Sequence, residues 1–250
     1  SHTGTLARTV QDASLLFEVL AGESPHDDLS MSPHDWPKKA NQKLKVAYSP
    51  TLNFATPEPQ VEALVRQAAE AFRDLGYELQ EANPPIPKEL HIWNTVYASR
   101  YAPLKPEFAE LLTPEMVDII KEGMQLPAYI YCQDSIERTK LYYVMDRFFE
   151  EYDLLLTPTM PLEAFDSKLE RPAQVGGRPI TTLFGWTPYT YPFNLTGQPA
   201  LSLPAGLGPQ GLPLGLQIIG PRGSDRLILE VGRRFEELRP FPISPLAQQS

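Results

Sequence analysis

Breaking an acyl bond takes a nucleophile with a base in hydrogen-bond reach. The serines, lysines, four histidines and single cysteine of this 250-residue chain are the groups that could supply them. A lysine held neutral by burial can accept a serine proton, but Ser135 and Lys140 stand five residues apart on a helical stretch and do not share a face. Ser167 and Lys168 adjoin in a polar stretch with no lysine beyond them, and Ser202, in the run Ala-Leu-Ser-Leu-Pro, has no basic neighbour. The Gly-x-Ser-x-Gly elbow of many hydrolases is absent. His2, His26, His34 and His91 are scattered and Cys132 has no ligand beside it, so no metal site is expected. Gly176-Gly177-Arg178 is too short to cradle a phosphate and reads as a turn. Asn194-Leu-Thr196 matches a glycosylation sequon, with nothing else that points to secretion. Taken on their own, these residues form no complete catalytic set.

The elements that would position such residues follow from periodicity. Thr9 to Leu20 reads as a helix, with Thr9 and Asp12 in capping-box spacing and Val10, Ala13, Leu16 and Leu20 along one face. Leu44 to Tyr48, Pro57 to Leu75 and Tyr77 to Glu81 read as strand, helix and strand, the spacing of a βαβ unit with parallel strands. Pro87 to Tyr152 is mostly helical, and its last piece, from Tyr129, should pack one side on a core. Asp153 to Thr157 reads as a buried strand. Ala200 to Pro204 and Leu214 to Ile219 read as a hairpin-like pair, and Ser224 to Leu238 as a closing helix. The fold class is therefore α/β, a mixed twisted β-sheet flanked by helices.

Composition narrows the function classes. There are 31 acidic against 22 basic side chains, a net charge of −9, and no local basic patch, so a nucleic-acid partner is not expected. The chain carries no signal-peptide core and no uninterrupted run of about 18 apolar residues, so no membrane partner is expected either. One cysteine gives no disulfide framework, which fits a reducing, cytoplasmic setting. The chain opens on Ser1 and its first methionine is Met31, which raises the expectation of processing or of a missing N-terminal part. Residues 179–221 contain no Asp, Glu, Lys or Arg, yet eight prolines and seven glycines. A segment of that kind is either packed core with tight connections or the lining of a cavity, and it cannot be one long helix.

Four blocks then become recognisable. Gly4-Thr-Leu-Ala-Arg-Thr-Val-Gln-Asp12 comes first, then Tyr152-Asp-Leu-Leu-Leu-Thr-Pro-Thr159. Phe193-Asn-Leu-Thr-Gly-Gln-Pro-Ala200 follows, running into Ser202-Leu-Pro-Ala-Gly206, and last comes Gly211-Leu-Pro-Leu-Gly-Leu-Gln-Ile-Ile-Gly220 with Asp225. In this order they resemble the C-terminal half of an amidase signature enzyme. The resemblance implies that residues 1–250 are the C-terminal portion of a single amidase-signature α/β domain, incomplete in this chain, with residues 179–221 as its pocket and core segment. It also implies hydrolysis of a carboxamide to carboxylate plus ammonia or amine, without metal or organic cofactor.

Family members use a serine nucleophile, a second serine in a cis peptide bond and a lysine, all upstream of the block that begins here at Gly4. No catalytic residue is therefore expected in this chain, and the chain alone is expected to be inactive. The implied partners are a small-molecule amide and the N-terminal portion of the same enzyme. Thr5 stands where the family usually has proline, and it should loosen the entry to the first helix. The run Trp186-Thr-Pro-Tyr-Thr-Tyr-Pro192 departs from the family's tRNA-dependent amidotransferase subunits and favours a general amidase. What carries over is the pocket wall ahead of Asn-Leu-Thr-Gly: Phe184, Trp186, Thr187, Tyr191 and Asn194 are the candidate substrate-binding residues, with plain core packing as the other reading of each. The alternative function is a non-catalytic binding or assembly subunit of the same fold.

Overall fold

The structure, a computed structural model, describes residues 2–27, 30, 39–87, 91–103 and 110–241. Its centre is a five-stranded mixed sheet in the order β2-β1-β3-β7-β6. The expected βαβ unit is present: β1 (Lys45–Tyr48) and β2 (Glu78–Glu81) pair in parallel, joined by helix α2 (Pro59–Asp74). Helix α2 starts at Pro59 rather than Pro57, with its proline in the first turn where a missing N–H costs nothing. Gly76 ends it at φ +88°, a left-handed conformation that glycine adopts without steric cost. Strand β3 (Leu154–Pro158) is buried along its whole length and lies parallel to β1.

The chain then makes a two-residue ribbon, β4 (Gln174–Val175) with β5 (Arg178–Pro179), around the Gly176-Gly177 turn. Strand β6 (Ala200–Leu207) turns back antiparallel into β7 (Pro213–Ile219), which closes against β3. The hairpin is thus the antiparallel side of the sheet, and β6 forms its edge.

Helices cover both faces. On one, α2 and α7 (Asp225–Leu238) bury Val61, Val65, Phe72, Ile228, Val231 and Phe235 against Leu203, Leu216 and Ile218. On the other, α3 (Ile92–Tyr101), α5 (Ala128–Glu151) and the short α6 (Tyr191–Thr196) enclose Trp93, Leu141, Met145, Phe148 and Phe193 against Leu155 and Ile219. Helix α4 (Pro114–Gln125) lies on α3, where a Cβ on Gly123 would stand 2.1 Å from the Ala98 carbonyl oxygen.

Helix α1 (Val10–Leu20) is capped as expected, with the Thr9 hydroxyl accepting from the Asp12 N–H at 3.1 Å. Its apolar face departs from expectation. Val10 and Ala13 are buried on α7, whereas Leu16 and Leu20 are exposed together with Leu15 and Val19, because nothing among the described residues covers them. Thr5 does not loosen the helix entry, since its hydroxyl donates to the Ala13 carbonyl at 3.1 Å. The Val10 N–H donates to the Glu236 carboxylate at 3.1 Å, which puts a negative charge at the α1 N-terminus and fixes that end on α7.

Candidate functional site

The charge-free segment divides by role. Its second half forms the β6–β7 hairpin, with Leu203, Ala205, Leu214, Leu216, Ile218 and Ile219 buried. Its first half, residues 180–198, packs Tyr189, Phe193 and Leu195 into the cluster of Leu155 and Ile219 and is pinned by polar contacts. Gln217 on β7 is buried and donates to the Tyr189 carbonyl at 2.8 Å and to the Thr157 hydroxyl at 3.0 Å. The Tyr189 hydroxyl donates to the Pro50 carbonyl at 2.5 Å, and Arg138 of α5 reaches the Leu195 carbonyl at 2.6 Å. Gly197, at φ +77°, ends α6 with its N–H donating to the Phe193 carbonyl. The carbonyls of Pro50, Tyr189 and Leu195 thereby find donors that strand or helix ladders do not supply them.

The five candidates fall in different places around this segment. Phe184 and Tyr191 pack on either side of Trp93: Phe184 edge-on at 5.5 Å, Tyr191 stacked at 5.9 Å. Burial holds the Tyr191 phenol at a pKa of about 12, so it stays neutral at any ordinary pH. Phe184 borders a recess of about 210 Å³ with Tyr97 and Glu122, and Tyr191 borders one of about 170 Å³ with Phe54 and Arg178. The Thr187 hydroxyl donates to the Phe184 carbonyl at 3.0 Å and serves the turn.

Trp186 and Asn194 stand in the two larger clefts. Trp186 borders a cleft of about 610 Å³ beside β6, edge-on to Phe165 at 5.2 Å. Asn194 borders one of about 510 Å³ with Gln198, Gln217 and His2. Leu6 and Ser202 line both clefts, so the two meet at the β6 edge.

Residues outside the five candidates complete this region. The Ser202 and Thr159 hydroxyls lie 2.7 Å apart, and a Cβ on Gly215 would come within 2.6 Å of the Thr159 hydroxyl and 3.0 Å of that of Ser202. The period of two along β6 carried the signal, since Leu201 and Leu203 face the helices and Ser202 must face away. Glu163 is 5% exposed, and its carboxylate accepts from the Gln210 N–H at 3.4 Å. A carboxylate set in the apolar run Met160-Pro-Leu-Glu-Ala-Phe165 was the only hint of it.

The arrangement can bind but carries no bond-breaking set. Among the described residues no serine hydroxyl is paired with a lysine or histidine. Ser135 donates to the Tyr131 carbonyl, and Lys140 forms an ion pair with Glu137. Among the same residues no three metal-ligating side chains converge, and no helix is long and apolar enough to cross a membrane.

A mixed sheet of this order, with the antiparallel hairpin at its edge, defines the class, and comparison with known proteins supplies the family. The family model described as Amidase matches residues 1–229, and the chain belongs to the amidase signature family. It is 30% identical over 253 residues to the acylamidase of Rhodococcus erythropolis, covering 96% of this chain and 53% of that protein. It is also 30% identical over 273 residues to one component of the glutamyl-tRNA(Gln) amidotransferase of Synechococcus sp. (strain RCC307), covering 94% of this chain and 54% of that one. The solved structure of a bacterial aryl acylamidase of the amidase signature family superposes with a TM-score of 0.82 at 27% identity, over 94% of this chain and 52% of that one. The chain therefore spans about half the length of the relatives it matches.

Proposed function

We propose that this chain is the C-terminal portion of an amidase, contributing half of the sheet and the substrate-side wall. The nucleophile, the second serine and the lysine would lie in an N-terminal portion. The full enzyme would hydrolyse a carboxamide to carboxylate plus ammonia or amine, in the cytoplasm, as a general amidase rather than as part of a tRNA-dependent amidotransferase. The observation that carries this proposal is the pair of clefts meeting at the β6 edge, lined mainly by apolar, aromatic and neutral polar groups, with Glu163 in one and His2 and Asp225 in the other, and with no hydrogen bond between a serine hydroxyl and a lysine or histidine among the described residues. Such a surface suits one side of an acyl pocket. Exposed Leu6, Leu15, Val19 and Leu20 beside it support an N-terminal portion seated there, as does the half-length match to relatives.

Of the five candidates, Trp186 and Asn194 are proposed as direct wall residues. Phe184 and Tyr191 would shape the pocket through Trp93, and Thr187 would hold the turn between them.

The test compares the 250-residue chain with the chain preceded by its upstream coding sequence, both offered anilide substrates and a fluorophosphonate. The short form should show no turnover and no labelling, and the long form should show both, with the label upstream of Ser1. Labelling of any serine within residues 1–250 would overturn the division of labour. A long form that folds and binds amides without turning any over would favour the non-catalytic role instead.

A further inference from the structure

Among the described residues, the cleft beside β6 contains a single charged group. Its lining, from Leu6 through Met160, Leu162, Phe165, Trp186 and Leu214, is apolar or neutral, and Glu163 is the exception. The residue is 5% exposed, yet among the described residues its only polar contact is the long 3.4 Å bond from the Gln210 N–H. No described lysine, arginine or histidine borders the cleft. A carboxylate withdrawn from water without a counter-charge is expensive unless something supplies one.

The carboxylate rests against the β6–β7 turn. Oε1 lies 1.9 Å from the place that a Cβ at position 208 would take, so it sits in space that Gly208 leaves open, and a larger residue there would turn the flexible Glu163 side chain aside. Phe165 and Trp186 line the same cleft, their rings meeting edge to face at 5.2 Å. Aromatic rings attract cations through their faces, and a carboxylate attracts them through its charge.

We propose that this cleft selects amides that carry a cationic group, an ammonium or an amidinium, with Glu163 as the specificity-determining counter-charge. The proposal rests on the amidase reading, and it adds the substrate class. Ion pairing in a largely apolar cleft needs no serine or lysine, so the selectivity belongs to this chain and can be measured on it without turnover.

The test is isothermal titration of the 250-residue chain near pH 7 with 2-phenylethylammonium and with 2-phenylethanol, its neutral counterpart. The ammonium should bind at least about ten-fold more tightly, the size of one charge-assisted contact. Glu163→Gln keeps an acceptor for the Gln210 N–H and should erase the preference while leaving the alcohol's affinity in place. Gly208→Ala leaves the charge but displaces it, and should weaken the preference. Equal affinity for the two probes in the unaltered chain, or a preference that survives in Glu163→Gln, would overturn the proposal. The two probes on the unaltered chain decide the matter even if a variant fails to fold. Because no hydrolysis is read, an inactive long form would sink the amidase reading and leave this result standing.

Discussion

Tyr48 and Tyr189 are both buried, but their hydroxyls meet opposite fates. That of Tyr189 donates to the Pro50 carbonyl at 2.5 Å, and that of Tyr48 finds no partner among the described residues. Removing a hydroxyl that is buried and unpaired forfeits no hydrogen bond, whereas removing a paired one strands its acceptor. Tyr48→Phe should therefore leave stability within about 1 kcal/mol of the parent or raise it, and Tyr189→Phe should cost about 1–3 kcal/mol, read from urea midpoints. Burial also pushes the phenol pKa of Tyr48, Tyr189 and Tyr191 upward, to about 12 for Tyr191. The folded state thus favours the neutral phenol. Its contribution is complete below about pH 10, where the unfolded phenol starts to ionise, and is lost as pH rises through the folded value. The melting temperature should fall between about pH 10 and about pH 12, and Tyr191→Phe should flatten that fall. An unchanged slope in that variant would mean the ring is hydrated in solution. The family resemblance marked Tyr191 as a pocket candidate through its place just ahead of Asn-Leu-Thr-Gly, inside the charge-free segment. It could not tell a ring stacked on Trp93 from one facing a cleft, since Trp93 lies almost a hundred residues away.

At the level of elements, what could be read in advance divides by range. The β1-α2-β2 unit, the long α5 and the closing α7 announced themselves through local periodicity and stop signals, because each buries one continuous stripe. The six-residue α6 and the β4–β5 ribbon did not, being too short to show a period and held mainly by contacts from α5, β7 and a glycine turn. Strand order was equally silent, and with it the meeting of β6, β7 and residues 159–165 at the larger cleft. The α3–α4 crossing gives a test at this scale. With backbone oxygen 2.1 Å from the place of a Cβ at Gly123, the neighbour cannot rotate away, so Gly123→Ala must push the two helices apart. We expect a loss of about 1–3 kcal/mol. Faster amide hydrogen exchange should be confined to α3 and α4, and exchange that rises evenly through the sheet would show that the crossing is not a separate unit.

At the scale of the whole molecule, the sheet is covered by helices on both faces, and its two edges differ. One edge, β2, is flanked by charge: Lys43 pairs with Glu78 and Arg66 with Glu81. The opposite edge, β6, carries Ala200, Ser202 and Pro204 to the surface with no charged side chain along the strand, and beside it α1 exposes Leu15, Leu16, Val19 and Leu20, Val19 to 80%. Exposed edges and contiguous apolar faces drive association unless something covers them. The proposed cover is an N-terminal portion, and Leu15, Leu16, Val19 and Leu20 would each contribute about 1.5–3 kcal/mol once fully buried. Alone, then, the chain should self-associate in sedimentation velocity, increasingly with salt, because the contact is apolar. Leu15→Lys with Val19→Glu should return it to a monomer with little change in urea midpoint, since neither side chain supports the fold. The same pair placed in the long form should lower stability by several kcal/mol, because there both positions would be buried. If the substitutions prove silent in the long form, α1 is not where the N-terminal portion sits, and β6 alone must carry the join.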